Sequence, residues 1–188
     1  MDDTVSLALT EAWPAMTPWR GEGVTLTPLP GCARWSLRVP PVGGIAAGFA
    51  LGMAINRCTV AGERLAARLG PDEWLLCAPP AQAAEIESAV APALAGTAHA
   101  LVDVSHRYAA LAIEGAQAGG MLAAGCPLDL HPAVFPVGAA TRTLLGKAEI
   151  VLWRPDPAGW RVECARSFAP YVWAFLGEAA REFAPAAP

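Results

Sequence analysis

The stretch ERLAARLGPDEWLLCAPP, residues 63–80, constrains the fold more than any other. Two short apolar runs, RLAARL and EWLLCA, flank Gly70-Pro71-Asp72, a turn signal too short for anything but an antiparallel reversal. The arrangement recurs near the C-terminus, where KAEIVLW and WRVECA flank RPDPAG at 154–159. Parallel strands need crossovers of a dozen residues or more, so repeated tight reversals predict antiparallel sheets and an α+β class, not a doubly wound parallel sheet.

The other elements follow from periodicity. Residues 33–39 alternate: Trp35, Leu37 and Val39 share one face, and Arg34, Ser36 and Arg38 share the other, which predicts a half-buried strand. The run VGGIAAGFALGMAI, 42–55, places Gly44, Gly48 and Gly52 four apart and reads as a glycine-interrupted core helix. Residues 81–94 read as a helix with Ile86, Val90 and Leu94 on one stripe, weakened by Pro92. The second half reads as strands at 99–104 and 108–115, a short helix ending near Gly125, a Pro-rich connector at 126–138, and strands at 141–146, 147–153 and 160–165. A closing helix has Ser167 as its N-cap and Phe168, Tyr171, Val172, Phe175, Leu176, Ala179 and Phe183 as its apolar face. No internal repeat is legible by eye. The predicted organisation is an extended arm at 1–31, carrying Trp13 and Trp19 that must lie against something, a first α+β half at 32–96 and a second at 97–188. The final APAAP is expected to fray.

Charge excludes several function classes. Asp, Glu, Lys and Arg make up 16% of the chain, hydrophobic residues 54%, and Lys147 is the only lysine. A net charge of −4 offers nothing to a phosphate backbone, so nucleic acid is excluded as a partner. So sparse a charge is explained either by surface buried against other subunits or by an Ala-rich composition. The 14-residue apolar stretch at 42–55 falls short of the ~20 a membrane helix needs, so no membrane association is expected. The N-terminus lacks a basic segment and does not read as a secretory signal. Five cysteines, none in a C-x-x-C, read as reduced thiols of a cytoplasmic protein.

Several clusters resemble chemistry. Asp103, Ser105, His106 and Arg107 fall within five positions, yet adjacent residues of an extended chain diverge, so a structural corner is favoured over a ligand contact or a nucleophilic centre. CPLDLH, 126–131, lacks a further zinc ligand nearby and reads as a connector whose Leu128 and Leu130 plug the core. Asp72 and Glu73 read as the charged rim of a turn. Arg161 and Glu163 share a strand face and are expected to pair at the surface. Arg166 has the wrong sign for a helix N-terminus and either is solvated or reaches an acidic partner. Trp173 lies off the apolar stripe of the last helix, as a partner contact or a site covered by the arm. No catalytic, cofactor-binding or metal residue is assigned.

Taken in order, RLGPDEWLL at 68–76, DVSHRYAALAIEG at 103–115 with GCPLDL at 125–130, and ARSFAPYVWAFL at 165–176 resemble the gamma subunits of heterotetrameric sarcosine oxidases. The resemblance implies a fold similar to part of the folate-dependent aminomethyltransferases, such as the T-protein of the glycine cleavage system, whose Asp-x-Ser-His segment corresponds to Asp103–His106. The aminomethyltransferases' catalytic acidic segment after a glycine has no match here. The family implies a non-catalytic assembly subunit, partnered by alpha, beta and delta chains that carry FAD, FMN, NAD, tetrahydrofolate and zinc. His106, Arg107, Arg166 and Trp173 are then the candidate subunit contacts. The rival readings are the gamma subunit of a related N-methyl amino acid oxidase, a stand-alone folate or small-ligand module with Trp74 or Trp160 in its pocket, and an independent enzyme using Ser105/His106 or Cys126.

Overall fold

A computed structural model describes residues 16–183. Thirteen strands and three helices appear among them: β1 (Trp19–Gly21), β2 (Val24–Pro28), β3 (Ala33–Arg38), β4 (Gly44–Ala46), β5 (Phe49–Leu51), β6 (Arg57–Ala61), β7 (Arg64–Arg68), β8 (Glu73–Ala78), α1 (Ala83–Ala93), β9 (Ala100–Asp103), β10 (Tyr108–Glu114), α2 (Ala118–Ala123), β11 (Ala140–Leu145), β12 (Ala148–Trp153), β13 (Gly159–Ala165) and α3 (Ala169–Ala180). One sheet runs β6-β7-β8-β3-β9, a second runs β1-β2-β10-β13-β12-β11, and β4-β5 forms a separate hairpin. Every pairing is antiparallel.

Strand alternation sorts the core into layers. Trp74 and Leu76 of β8 join Trp35 and Leu37 of β3 under Ile86 and Val90 of α1. Ile150 and Leu152 of β12 join Leu111, Ile113 and Val162 under α2 and α3, through Met121, Leu122, Val172 and Leu176. The intervening residues Leu75, Cys77 and Val151 meet between the sheets with Ala67 and Ala140. The order of layers is α1, first sheet, second sheet, then α2 with α3.

The two sheets share a plan. In each, two hairpins (β6-β7-β8 and β11-β12-β13) lead through a 3-10 turn into a helix, and an earlier strand, β3 or β10, pairs beside the third. The hairpin turns also match. Arg68 lies 5.0 Å over the Trp74 ring and donates to the carbonyls of Met53, Gly70 and Pro71. Arg154 lies 4.9 Å over Trp160 and donates to Phe135 and Pro157. A buried guanidinium that feeds loop carbonyls and covers an indole fixes each turn. This repeat corrects the sequence reading, which found none. It lives in topology and in one Arg-x5-Trp pair per half, too little to see by eye.

Other expectations are corrected too. The Gly-rich 42–55 run is a hairpin, not a helix. Ala47 and Gly48 have φ of 46° and 74°, the two positive values of a tight two-residue turn between the paired Ala46 and Phe49. A Cβ on Gly48 would sit 2.4 Å from the Arg64 guanidinium, which donates to the Ala47 carbonyl. RCTVA, unassigned from sequence, is β6. Ser167 does not cap α3: it lies in a 3-10 turn, Arg166–Phe168, and the N-cap position of α3 is Phe168, with no side-chain capping bond. Nor do the sheets divide where the sequence halves did. β9, past residue 96, belongs to the first sheet, whereas β1 and β2, from the supposed arm, belong to the second. Trp19 packs on the second core, and Glu22 N–H donates to the Phe183 carbonyl at 2.7 Å. Trp13 and residues 184–188 lie outside the described residues. No helix among those described is long and apolar enough to cross a membrane.

Candidate functional site

The DVSHR segment turns the chain from β9 of one sheet into β10 of the other. Ser105 is buried; its Oγ accepts the Arg34 N–H at 2.9 Å and faces the Arg34 carbonyl at 3.4 Å, while its own N–H donates to the Asp103 carboxylate at 2.7 Å. Val104 N–H donates to the Arg34 carbonyl at 2.9 Å. The hydroxyl is thus engaged with backbone on both sides. His106, in the same 3-10 turn, points out to solvent, so no Ser–His pair forms.

The predicted contact residues sit in different settings, although the register that pairs Tyr108 with Ala165 brings Arg107 and Arg166 to one end of the β10–β13 ladder. Arg107, exposed and 5.7 Å from the Tyr108 ring centroid, lines a cleft of about 370 Å³ between the sheets. Arg38, Glu73, Arg142 and Glu149 also line it. Arg166 is half-buried in the turn before α3, and Trp173 packs partly buried on the second core, as Met16 and Trp19 do. In CPLDLH, Cys126 is buried and Leu128 and Leu130 pack on the core, while Asp129 and His131 bond nearby backbone N–H groups.

Two expectations about charge are overturned. Glu73 is not on a turn rim. It points into the cleft at 10% exposure, gripped through both oxygens by Arg142 and paired with Arg38 at 3.1 Å. The hydrogen bonds from Arg142 hold its carboxyl below the usual carboxylate range. Arg161 and Glu163 do pair, but in the interior. Glu163 Oε2 accepts Arg34 Nε at 2.8 Å and Oε1 accepts Arg161 Nη2 at 2.6 Å. Side-chain exposure is 2% for Arg34 and 4% for Glu163. The alternation of β3 and β13 was read correctly; the face read as solvent is covered by the other sheet.

Sequence reasoning missed what surrounds this triad. Cys32, Cys77 and Glu163 bring two thiols and a carboxylate oxygen within 4.8 Å of one another. Arg161 Nη2 lies 3.5 Å from Cys32 Sγ, and Arg34 Nη1 donates to the Cys32 carbonyl at 3.0 Å. The donors do not suit zinc: both Glu163 oxygens are taken by guanidiniums, and two fixed cations in the same shell oppose a dication. The one available signal was the chain's poverty in charge, which makes an Arg and a Glu placed on inward-alternating strand positions worth pairing.

Residues 41–182 match the model of the "Sarcosine oxidase, gamma subunit family". The chain belongs to that family. A sarcosine oxidase subunit gamma from Corynebacterium sp. (strain P-1) is 34% identical over 116 residues, 62% of this chain and 56% of the relative. The chain thus spans little more than half the length of the curated relatives it matches. Among solved structures it is similar to a chain of the heterotetrameric sarcosine oxidase from Corynebacterium sp. U-96, with a TM-score of 0.78, 28% identity and 90% of each chain covered. The glycine cleavage system aminomethyltransferase T from Bartonella henselae shares the fold, with a TM-score of 0.59 at 13% identity over 83% of this chain and 46% of that one. The predicted α+β class with antiparallel sheets, and its likeness to part of the aminomethyltransferase fold, therefore hold.

Proposed function

We propose that this chain is a non-catalytic assembly and stabilising subunit, the gamma chain of a heterotetrameric sarcosine oxidase in the cytoplasm. The observation that carries the reading is the likeness to a chain of such an oxidase across 90% of both lengths. The interior of the molecule supports it. The hydroxyl, carboxylates and guanidiniums that resemble catalytic groups are bound to backbone or to one another: Ser105 to Arg34, Glu163 to Arg34 and Arg161, Arg68 and Arg154 to loop carbonyls. In this reading the alpha, beta and delta chains hold FAD, FMN, NAD, tetrahydrofolate and zinc. The complex oxidatively demethylates sarcosine to glycine, reduces oxygen to hydrogen peroxide, and passes the methyl carbon to tetrahydrofolate or releases it as formaldehyde. His106, Arg107, Arg166 and Trp173 are the proposed contacts with those chains.

A related N-methyl amino acid is the alternative substrate. A free-standing folate module is less well supported, because Trp74 and Trp160 are both buried and each is covered by a guanidinium. The test is co-expression of the other three chains with and without this one. Assembled, flavin-loaded complex is expected to fall when the chain is left out, and turnover per assembled complex to survive His106→Ala. Unchanged assembly without the chain, or a collapse of turnover in the assembled His106→Ala complex, refutes the proposal. Titration of the isolated chain with micromolar tetrahydrofolate, followed by Trp fluorescence, is expected to give no saturable change.

A further inference from the structure

We propose that Cys32 and Cys77 form a reversible dithiol–disulfide site, in which Cys32 is the thiolate oxidised by a hydroperoxide and Cys77 is the resolving thiol. The inference stands apart from the subunit reading and concerns chemistry at the seam between the two sheets.

The register places the pair. Ala33 faces Ala78 and Arg34 faces Cys77 across the β3–β8 ladder, so Cys32, Arg34 and Cys77 project on the same face, toward the second sheet. Arg161 and Glu163 of β13 meet them there. The two sulfurs and a Glu163 oxygen are mutually within 4.8 Å. Cys32 lies ahead of β3, outside the ladder, so its backbone can follow its sulfur to the ~2.05 Å of a disulfide.

The two thiols differ as an attacking and a resolving pair should. Cys32 is partly exposed and lines a pocket of about 350 Å³ with Leu29, Leu65, Pro79 and Arg161; Cys77 also lines it but is the more buried of the two. The Cys77 thiol, donating to Cys32, together with Arg34 and Arg161, holds the Cys32 thiol at about 7 against the upward push of burial. Glu163, both of whose oxygens are engaged by the arginines, pushes the other way without overturning this. Hydrogen bonding to Cys32 and burial push Cys77 well up, and burial pushes Cys58 and Cys164 up to about 12. At neutral pH the thiolate is therefore concentrated on Cys32, the more accessible of the two thiols.

The chemistry balances. The Cys32 thiolate attacks one peroxide oxygen; an S–O bond forms, the O–O bond breaks, and the departing oxygen takes a proton to leave as water or an alcohol. Sulfur is oxidised by two electrons to the sulfenic acid. Cys77 then attacks that sulfur as its thiolate. The S–S bond forms, the S–O bond breaks, and the hydroxide leaves with the Cys77 proton as water. The net change is two thiols and one hydroperoxide to one disulfide, water and the reduced oxidant. An external thiol reverses it.

The test uses the full natively folded chain and hydrogen peroxide as probe. Under limiting iodoacetamide at neutral pH, peptide mass spectrometry is expected to find Cys32 alkylated about tenfold or more faster than the other four cysteines, with a rate midpoint near pH 7. One equivalent of hydrogen peroxide should then protect Cys32 and Cys77 alone and link their peptides, and dithiothreitol should release them. In Cys77→Ala the oxidised Cys32 should instead be trapped by dimedone. Cys32 alkylated no faster than Cys58 and Cys126 overturns the proposal, as does peroxide treatment that leaves Cys77 free. The wild-type experiment decides the matter even where the variant fails to fold.

Discussion

Replacing Glu163 by glutamine should destabilise the protein by several kcal/mol. The substitution keeps the side chain's shape and removes its charge. Arg34, at 2% exposure, then loses its carboxylate and keeps as partners the Cys32 carbonyl and the neighbouring Cys32 thiol. Breaking a buried ion pair by removing one partner costs roughly 3–5 kcal/mol. Arg161 keeps 18% exposure and can recover some hydration, which favours the lower end, ~3 kcal/mol. In a domain of this size each kcal/mol moves Tm by about 2–4 °C, so the expected drop is about 6–12 °C. Urea and thermal unfolding followed by circular dichroism read it directly. Glu178→Gln is the control, since its pair with Arg181 is exposed on both sides and Tm should hold. Converting Arg34, Glu163 and Arg161 together to Met or Leu should restore much of the loss, because no charge is left stranded. A Glu163→Gln variant within about 1 kcal/mol of wild type would refute the buried-triad account.

Ser105→Ala should cost on the order of 1 kcal/mol by stranding the Arg34 N–H, measured by urea titration, with turnover of the assembled complex largely kept. Gly115→Ala should cost on the order of 3 kcal/mol, read by the same titration, because φ is +119° and the new Cβ would lie 2.2 Å from the Gly23 carbonyl oxygen. Glu73 gives an acid-side signature. Its folded-state carboxyl titrates below its usual 4.5, so its stabilisation is complete above that value and is lost as pH falls through the lower folded one. Wild type should therefore exceed Glu73→Gln in stability at pH 7, and the gap should shrink at pH 3.

Local signals were legible where one face of an element decides its fate. The β7–β8 and β12–β13 hairpins, α1 and the alternation of β3 and β13 all follow from period and turn chemistry. What covers an element's second face is set by partners distant in sequence, and there the sequence misleads. Arg34 and Glu163 look solvated until the fold brings together strands 129 positions apart. Gly44, Gly48 and Gly52 carry a helical spacing, yet the backbone of the Ala47-Gly48 turn needs positive φ, which spacing cannot report. β2 and β9 cross the apparent boundary between halves because each completes a sheet begun by the other segment. The Cys32–Cys77 pair was invisible for the same reason: 45 residues separate two thiols that the β3–β8 register makes neighbours. The corner at Asp103–Arg107 was the reverse case, since diverging neighbours and short Asx-type bonds are local properties.

The role proposed for this chain is that of one subunit among larger flavin-bearing partners. Its most direct test is recovery of the tagged chain from its own cells, with an absorbance spectrum of the eluate. Co-purification in fixed ratio with larger chains whose spectrum is that of a flavoprotein is expected. A colourless chain eluting alone, under conditions where sarcosine oxidation is active in the same lysate, contradicts it.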